Sequence, residues 1–237
     1  MPSVRVVAIA LAASAPLTSS LSYASTLSVL PISVEVLQPG TTGTLTLRNR
    51  EARPLNVQVR VFRWRQVDGE DKLEPTQDVV ASPPIVSVNA GADYVVRLQR
   101  IASDSAVGEE AYRTVVDELP NPNRQRNGSI AIVMRYLVPT YFLSPDASQP
   151  KIIWSLIHKG RTTLLNAVNS GDKRMQIIDL KLKTGNGRVV MVSKGLAGYV
   201  LGRSSRTWAL PAKIGAAESG FVIADSDHGP IQARLSH

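Results

Sequence analysis

Cysteine is absent from all 237 positions, which excludes disulfides, thiol catalysis and cysteine-bound metals. Histidine is scarce: His158, His228 and His237 are the three, and none stands at metal-ligand spacing from another histidine or a paired carboxylate. Aromatic residues make up 5% of the chain and form no platform of the kind that bases or sugars stack on. Neither a Gly-x-Ser-x-Gly elbow nor a phosphate-cradling glycine loop occurs, since Gly202-Arg203-Ser204-Ser205 fits neither pattern. Glu109-Glu110 and Asp117-Glu118 are adjacent acids, which point to opposite faces of a strand and so cannot share acid and base work. These absences argue against an enzyme and imply no cofactor. Asp225 and Asp227 are compatible with a calcium site or with a solvated turn. Asn127-Gly128-Ser129 fits a glycosylation sequon or a short turn before a strand.

Acidic side chains are also in the minority, 19 against 27 Lys and Arg, for a formal charge of +8. The basic residues are spread from Arg48 to Arg234 and no nucleic-acid-binding signature accompanies them, so nucleic acid is not an expected partner. A dispersed basic surface suits an acidic or carboxylate-bearing protein partner better.

Long apolar runs are missing too. The longest, near the start, is broken by Ser14, Pro16 and Thr18, short of the roughly 20 residues a membrane-spanning helix needs, so no membrane insertion of the mature chain is expected. Residues 1–24 instead read as a cleavable export signal: Arg5 gives a positive start, Val6 to Ala13 an apolar stretch, and Ser22-Tyr23-Ala24 a small-x-small cleavage site. An uncleaved anchor is the other reading of that segment. Cleavage after Ala24 leaves 237 − 24 = 213 residues, and because Arg5 is the one charge removed, the mature charge is +8 − 1 = +7. That length suits two domains of about 100 residues each.

What the sequence has in abundance is alternation. Val-, Ile-, Leu- and Thr-rich runs with a period of two, punctuated by turn residues, predict an all-β protein. The expected strands in the first half are Thr26–Leu37, Thr42–Asn49, Leu55–Gln66, Ile85–Val88, Ala92–Arg100, Ala111–Leu119 and Ser129–Phe142. In the second half they are Ile152–Lys159, Thr162–Asn169, Met175–Thr184, Arg188–Val192, Gly198–Leu201, Arg206–Leu210, Gly220–Asp225 and Ile231–Leu235. Seven turn-spaced strands in the first half fit an immunoglobulin-like sandwich without its disulfide, with a barrel as the alternative. The proline-bearing stretch Pro139–Lys151 reads as the connection between domains, giving residues 25–143 and 144–237 as two immunoglobulin-like β-sandwiches in tandem. Trp64, Trp154 and Trp208 are expected in core or interdomain packing.

The stretch Ala111–Phe142 is the most informative. A strand ending in YRTVVDELP (Tyr112–Pro120) leads through a polar loop, NPNRQRNG, into SIAIVMRYLVPTYF (Ser129–Phe142). There Ile130, Ile132, Met134 and Tyr136 alternate with Ala131, Val133, Arg135 and Leu137. The even row could face the core of its own sandwich. Alternatively, Ala131, Val133 and Leu137 form the core face and the larger set points outward, leaving an edge that a partner must cover.

With VQVRVFRWRQ (Val57–Gln66), SPPIVSVNAG (Ser82–Gly91), MRYLVP (Met134–Pro139) and AGYVLGRSSRTWAL (Ala197–Leu210), these segments make the chain resemble the periplasmic pilus-assembly chaperones, most of all their archaic branch. The resemblance spans the mature chain and is strongest from Val57 to Pro139. It implies a periplasmic chaperone that binds and folds pilin subunits by donor-strand complementation and delivers them to an outer-membrane usher, without cofactor or ATP. It implies donor roles for Ile130, Ile132 and Met134, with Tyr136 and Arg135 as further subunit-binding residues. Asn121–Gly128 resembles the family's mobile loop before the donor strand. Many relatives grip the subunit's terminal carboxylate with an arginine in the first strand and a lysine in the donor strand; here Glu35 and Leu137 fall near those positions, so neither role transfers. Arg97 and Glu109 match family positions of structural character. The alternative from another class is an extracellular carbohydrate-binding or adhesive β-sandwich.

Overall fold

The computed structural model describes residues 27–120, 133–211 and 220–236, and among these it contains seventeen strands and no helix. The first half holds β1 (Leu27–Leu30), β2 (Val34–Leu37), β3 (Thr42–Asn49), β4 (Leu55–Val67), β5 (Glu70–Pro75), β6 (Val79–Ser82), β7 (Ile85–Val88), β8 (Asp93–Arg100), β9 (Glu109–Glu118) and β10 (Arg135–Leu143). One sheet runs β1-β3-β8-β6 and the other β2-β10-β9-β4-β5, with β7 also on β4. They enclose a core that includes Leu45, Leu47, Val57, Val96, Leu98 and Phe142, each under 2% exposed. Strand alternation is what builds it: in β3 the residues from Gly43 to Asn49 at every second position are buried and their neighbours are not. Each fully buried leucine contributes about 1.5–3 kcal/mol.

The second half holds β11 (Ile152–Lys159), β12 (Thr162–Asn169), β13 (Met175–Thr184), β14 (Val189–Val200), β15 (Ser205–Ala209), β16 (Gly220–Ser226) and β17 (Ile231–Ser236), in the order β14-β13-β16-β17-β11-β12-β15. They fold over a core around Trp154, Leu165, Ile177, Leu180, Leu182 and Val222. Trp154 and Trp208 stack at 5.8 Å, and the Trp208 indole donates to the Ala197 carbonyl at 2.9 Å, tying the two end strands β14 and β15 together.

Strand limits follow the sequence pattern closely at β3, β7, β11, β12 and β13. Five features depart from it. The expected strand Thr26–Leu37 is two strands in two different sheets, because Pro31 interrupts the run and lacks the N–H needed to continue a ladder. β5 is exposed at all six positions and so has no alternation to read; it exists because the Asp68-Gly69 turn, with φ of 55° and 80°, folds it onto β4 as a hairpin. β6 is a further strand that the pattern did not single out, four residues long and paired to β8. The segments expected as Arg188–Val192 and Gly198–Leu201 belong to one strand, β14, whose pairing to β13 continues through bulges. Pro139 belongs to β10 rather than to the interdomain connection. It is tolerated there because β10 has no partner on its far side until Thr140.

The two halves meet through Trp64, Ala111, Tyr141, Leu143 and Leu201, with Tyr199 against Trp64 in an edge-to-face contact at 5.4 Å. Polar clamps surround this cluster. The Gln66 amide donates to the Tyr199 carbonyl at 2.7 Å and accepts from the Leu201 N–H at 3.0 Å. The hairpin tip carbonyl of Gly69 accepts from the Thr207 N–H at 3.0 Å. A Cβ at Gly69 would lie 2.6 Å from the Thr207 side chain, so close approach and positive φ both require glycine there. Arg174 stacks on the Tyr141 ring at 3.5 Å and pairs with Glu109 at 2.6 Å and with Glu35. Burial pushes the Glu109 carboxyl up, and Arg174 opposes that shift only in part.

Because Glu109 has a side chain 1% exposed, Arg174→Met is expected to strand a buried carboxylate and cost roughly 3–5 kcal/mol, with broadened small-angle scattering as the halves loosen. The double variant Arg174→Met/Glu109→Gln removes that charge and should recover most of the loss in urea denaturation. Equal losses in the single and double variants would exclude this account.

Candidate functional site

β10 changes neighbours along its length. It pairs with β9 from Arg135 to Leu143, but with β2 only over Thr140–Leu143. The reason is the sheet switch: β1 has joined β3 in the opposite sheet, so among the described strands none is laddered to the far side of β10 before Thr140. The ladder to β9 continues one step earlier, where the Glu118 N–H donates to the Met134 carbonyl at 2.9 Å. A stretch of strand with a ladder on one side only, beside exposed apolar side chains, is a template for another strand.

Along this edge Val133 is 46% and Leu137 49% exposed, Met134 is half-buried and Arg135 is exposed. Tyr136 packs against the N-terminal core, and its hydroxyl donates to the Leu27 carbonyl. This corrects the outward placing of the even row: at the described positions Tyr136 shares the core side with Val138 and Phe142, while Val133 and Leu137 face water. The parity is set further along, where the even positions enter the sandwich core and Tyr141 and Leu143 of the odd row are covered by the second half. Beyond that cover the odd row is bare. Ile130 and Ile132 lie outside the described residues, as do Asn121–Gly128 and the sequon at Asn127.

Arg135 is tied across the sheet. Its Nε donates to Asp117, which also receives a hydrogen bond from Arg60 Nη2 at 2.6 Å, so three neighbouring strands carry an Arg-Asp-Arg row. Burial alone would raise the Asp117 carboxyl, but the hydrogen bonds from Arg135 and Arg60 outweigh it and hold it below the usual carboxylate range. Beside this row lies a depression of about 400 Å³ lined by Gln58, Arg60, Asp117, Pro120, Val133 and Met134.

Sequence reasoning missed three features of the neighbourhood. Leu30 and Ile32, 46% and 82% exposed, stand where the chain crosses between sheets, and the signal for them was Pro31 inside an apparently continuous strand. Arg113 opposes Pro139 and stacks on Trp64 at 3.7 Å, with no acid in ion-pair contact among the described residues. Glu35, near the position of a relative's subunit-gripping arginine, is held by Arg174, so its charge is engaged between the two halves. Asp227 accepts from the Gln176 N–H at 3.0 Å within a turn, and among the described residues no group of three His, Asp or Glu side chains could hold a metal ion.

A half-paired strand at a sandwich edge thus stands in a tandem of two β-sandwich domains. Residues 27–148 match the family model of pili and flagellar-assembly chaperones, PapD N-terminal domain. The chain belongs to that pilus-assembly chaperone family. Its fold is similar to that of the chaperone in the CsuC–CsuE chaperone–tip adhesion subunit complex from archaic chaperone-usher Csu pili of Acinetobacter baumannii, with a TM-score of 0.70 and 22% identity over 89% of this chain and 97% of that one. It is similar to the YadV chaperone, with a TM-score of 0.64 and 17% identity over 89% and 99%. A third likeness is to the Salmonella enterica SafA pilin–SafB chaperone complex, with a TM-score of 0.60 and 15% identity over 91% and 97%. At these identities the likeness is one of fold. No curated protein sequence matches the chain.

A carboxyl held low in the folded state contributes stability that is complete above its unfolded value of about 3.9 and is lost as pH falls through the lower folded value. Stability measured by urea denaturation from pH 7 to pH 2 should therefore fall more steeply at the acid end in the native chain than in Asp117→Asn. Identical acid limbs would remove the charge row as a stabilising feature.

Proposed function

We propose that this chaperone captures a pilin subunit lacking one strand of its own sandwich, by lending it the segment that leads into β10. The observation that carries the reading is that β2 pairs with β10 only over Thr140–Leu143, while Leu137 and Val133 stand exposed on the stretch of chain before it. A subunit strand that pairs with this edge lies beside the exposed Leu137 and Val133. Ile130, Ile132 and Met134 share the sequence parity of Tyr136, Val138 and Phe142, so a donor strand of unbroken period would extend the chaperone's own core row into the subunit. In that arrangement Ile130, Ile132 and Met134 fill the subunit's groove. Tyr136 anchors the row to β1 through Leu27, and Arg135, held by Asp117, stands on the opposite face at the rim.

The same proposal covers the setting. Residues 1–24 act as a cleaved export signal and the mature chain works in the periplasm as two domains, 25–143 and 144–237. Loaded subunits pass to an outer-membrane usher, where exchange of the lent strand for a segment of the next subunit drives release without a cofactor or a chemical step. The apolar edge is the feature that favours this over a glycan-binding sandwich.

Co-expression of Ile130→Asp/Ile132→Asp with the cognate pilin, followed by co-purification from periplasm, should recover less than about a tenth of the complex, since two buried carboxylates oppose groove filling. The isolated variant should melt as the native chain does. Undiminished recovery of pilin would overturn the donor assignment.

A further inference from the structure

The basic surplus of the sequence has an address in the second half. Across β14, β13, β16 and β17 the register sets Val189 beside Lys183, Phe221 and Arg234, and sets Met191 beside Lys181, Ile223 and Gln232. Past the bulges of β13, Leu196 stands beside Ile178, which in turn neighbours Asp225. All of these lie on the side of the sheet away from its core, whose row in β13 is Ile177, Leu180 and Leu182. Val189, Met191, Leu196 and Phe221 are 54%, 46%, 57% and 36% exposed. Among the described residues no carboxylate comes within ion-pair range of Lys181, Lys183, Lys194 or Arg234, and Arg234 stacks over Phe221 at 5.6 Å. Of the two nearby acids, Asp179 is occupied by the Gly195 N–H at 2.7 Å, and Asp225 stands at the far end of the face.

β14 is the end strand of its sheet, and its tie to β15 starts only at Ala197. Val189–Leu196 therefore combines an open backbone edge with an apolar, cationic face. Lysine on an edge strand commonly guards against aggregation. That role does not explain this face, because Lys181 and Lys183 stand on β13, Phe221 and Ile223 on β16, and Arg234 on β17, all in from the edge.

Charge selects the occupant. A second copy pairing edge to edge would join two such faces into one surface that carries Lys181, Lys183 and Lys194 twice over and adds no acid to balance them. A lipid surface would engage the face and leave the edge backbone unpaired. An extended segment alternating acidic and apolar residues satisfies both. We infer that the outer face and open edge of β14, Val189–Leu196, is a second docking site, distinct from the β10 edge, for an acidic extended segment of a partner protein. Apolar positions of that segment meet Met191, Leu196 and Phe221, and its carboxylates meet Lys181, Lys183 and Arg234.

The test is binding of a fluorescein-labelled (Glu-Val)₄ peptide to the full mature chain, with (Lys-Val)₄ and phosphatidylglycerol vesicles as the other arms. Saturable binding of the acidic peptide alone is expected, with backbone amide shifts centred on Val189–Leu196 and weakening with salt. Lys181→Glu/Lys183→Glu should weaken it at least about tenfold while leaving pilin capture intact, so that this site and the β10 edge fail independently. Should that variant misfold by circular dichroism, Met191→Thr supplies the same comparison. Equal binding of the two peptides, shifts confined to Arg135–Pro139, or binding to vesicles without binding to the peptide would each overturn the proposal.

Discussion

The first strand cannot serve both sheets at once, and the rest of the structure follows from how it divides itself. β1 closes one sheet against β3, and after Pro31 β2 closes the other against the last four residues of β10. Between them, among the described strands, the middle of β10 is laddered to one neighbour instead of two. A sandwich of this size can leave a short edge open because its core is already sealed: Leu45, Leu47, Val57, Val96 and Leu98 are covered without any contribution from a strand on that edge. The opening is thus a local property of one strand, not a weakness of the domain.

Exposed apolar edges carry an aggregation risk. Here β2 takes up its pairing at Thr140, Arg135 and Asp117 place charges beside the edge that precedes it, and the second half of the molecule covers Tyr141 and Leu143 immediately beyond. The interdomain clamp of Trp64, Gln66, Tyr141 and Arg174 holds the two halves on either side of this arrangement.

Much of the fold is legible in the sequence because strand alternation is a local signal. β3 and β7 fall within the expected limits because buried and exposed residues alternate along them, and β11, β12 and β13 do so because turn residues bound their apolar runs. β5 carries no such signal, being exposed throughout, and its pairing depends on the turn that precedes it. β14 was read as two pieces because glycines punctuate it, while bulged pairing carries the strand past them. At the described positions of the candidate strand the side facing the core is the one with Tyr136, not the one with Val133 and Leu137. Both rows of that strand are apolar, so composition does not say which one enters the core.

By itself, then, the sequence determined that this is a disulfide-free, all-β chain with a segment near its middle apolar on both faces, because these properties depend on residue type and spacing alone. Tertiary structure decided which face of that segment is buried, where its edge opens and which cations stand without acids. Those outcomes depend on which strands become neighbours, and neighbours in a sandwich are brought together from distant parts of the chain: β1 and β10, or Arg174 and Glu35, meet only when the whole fold has closed.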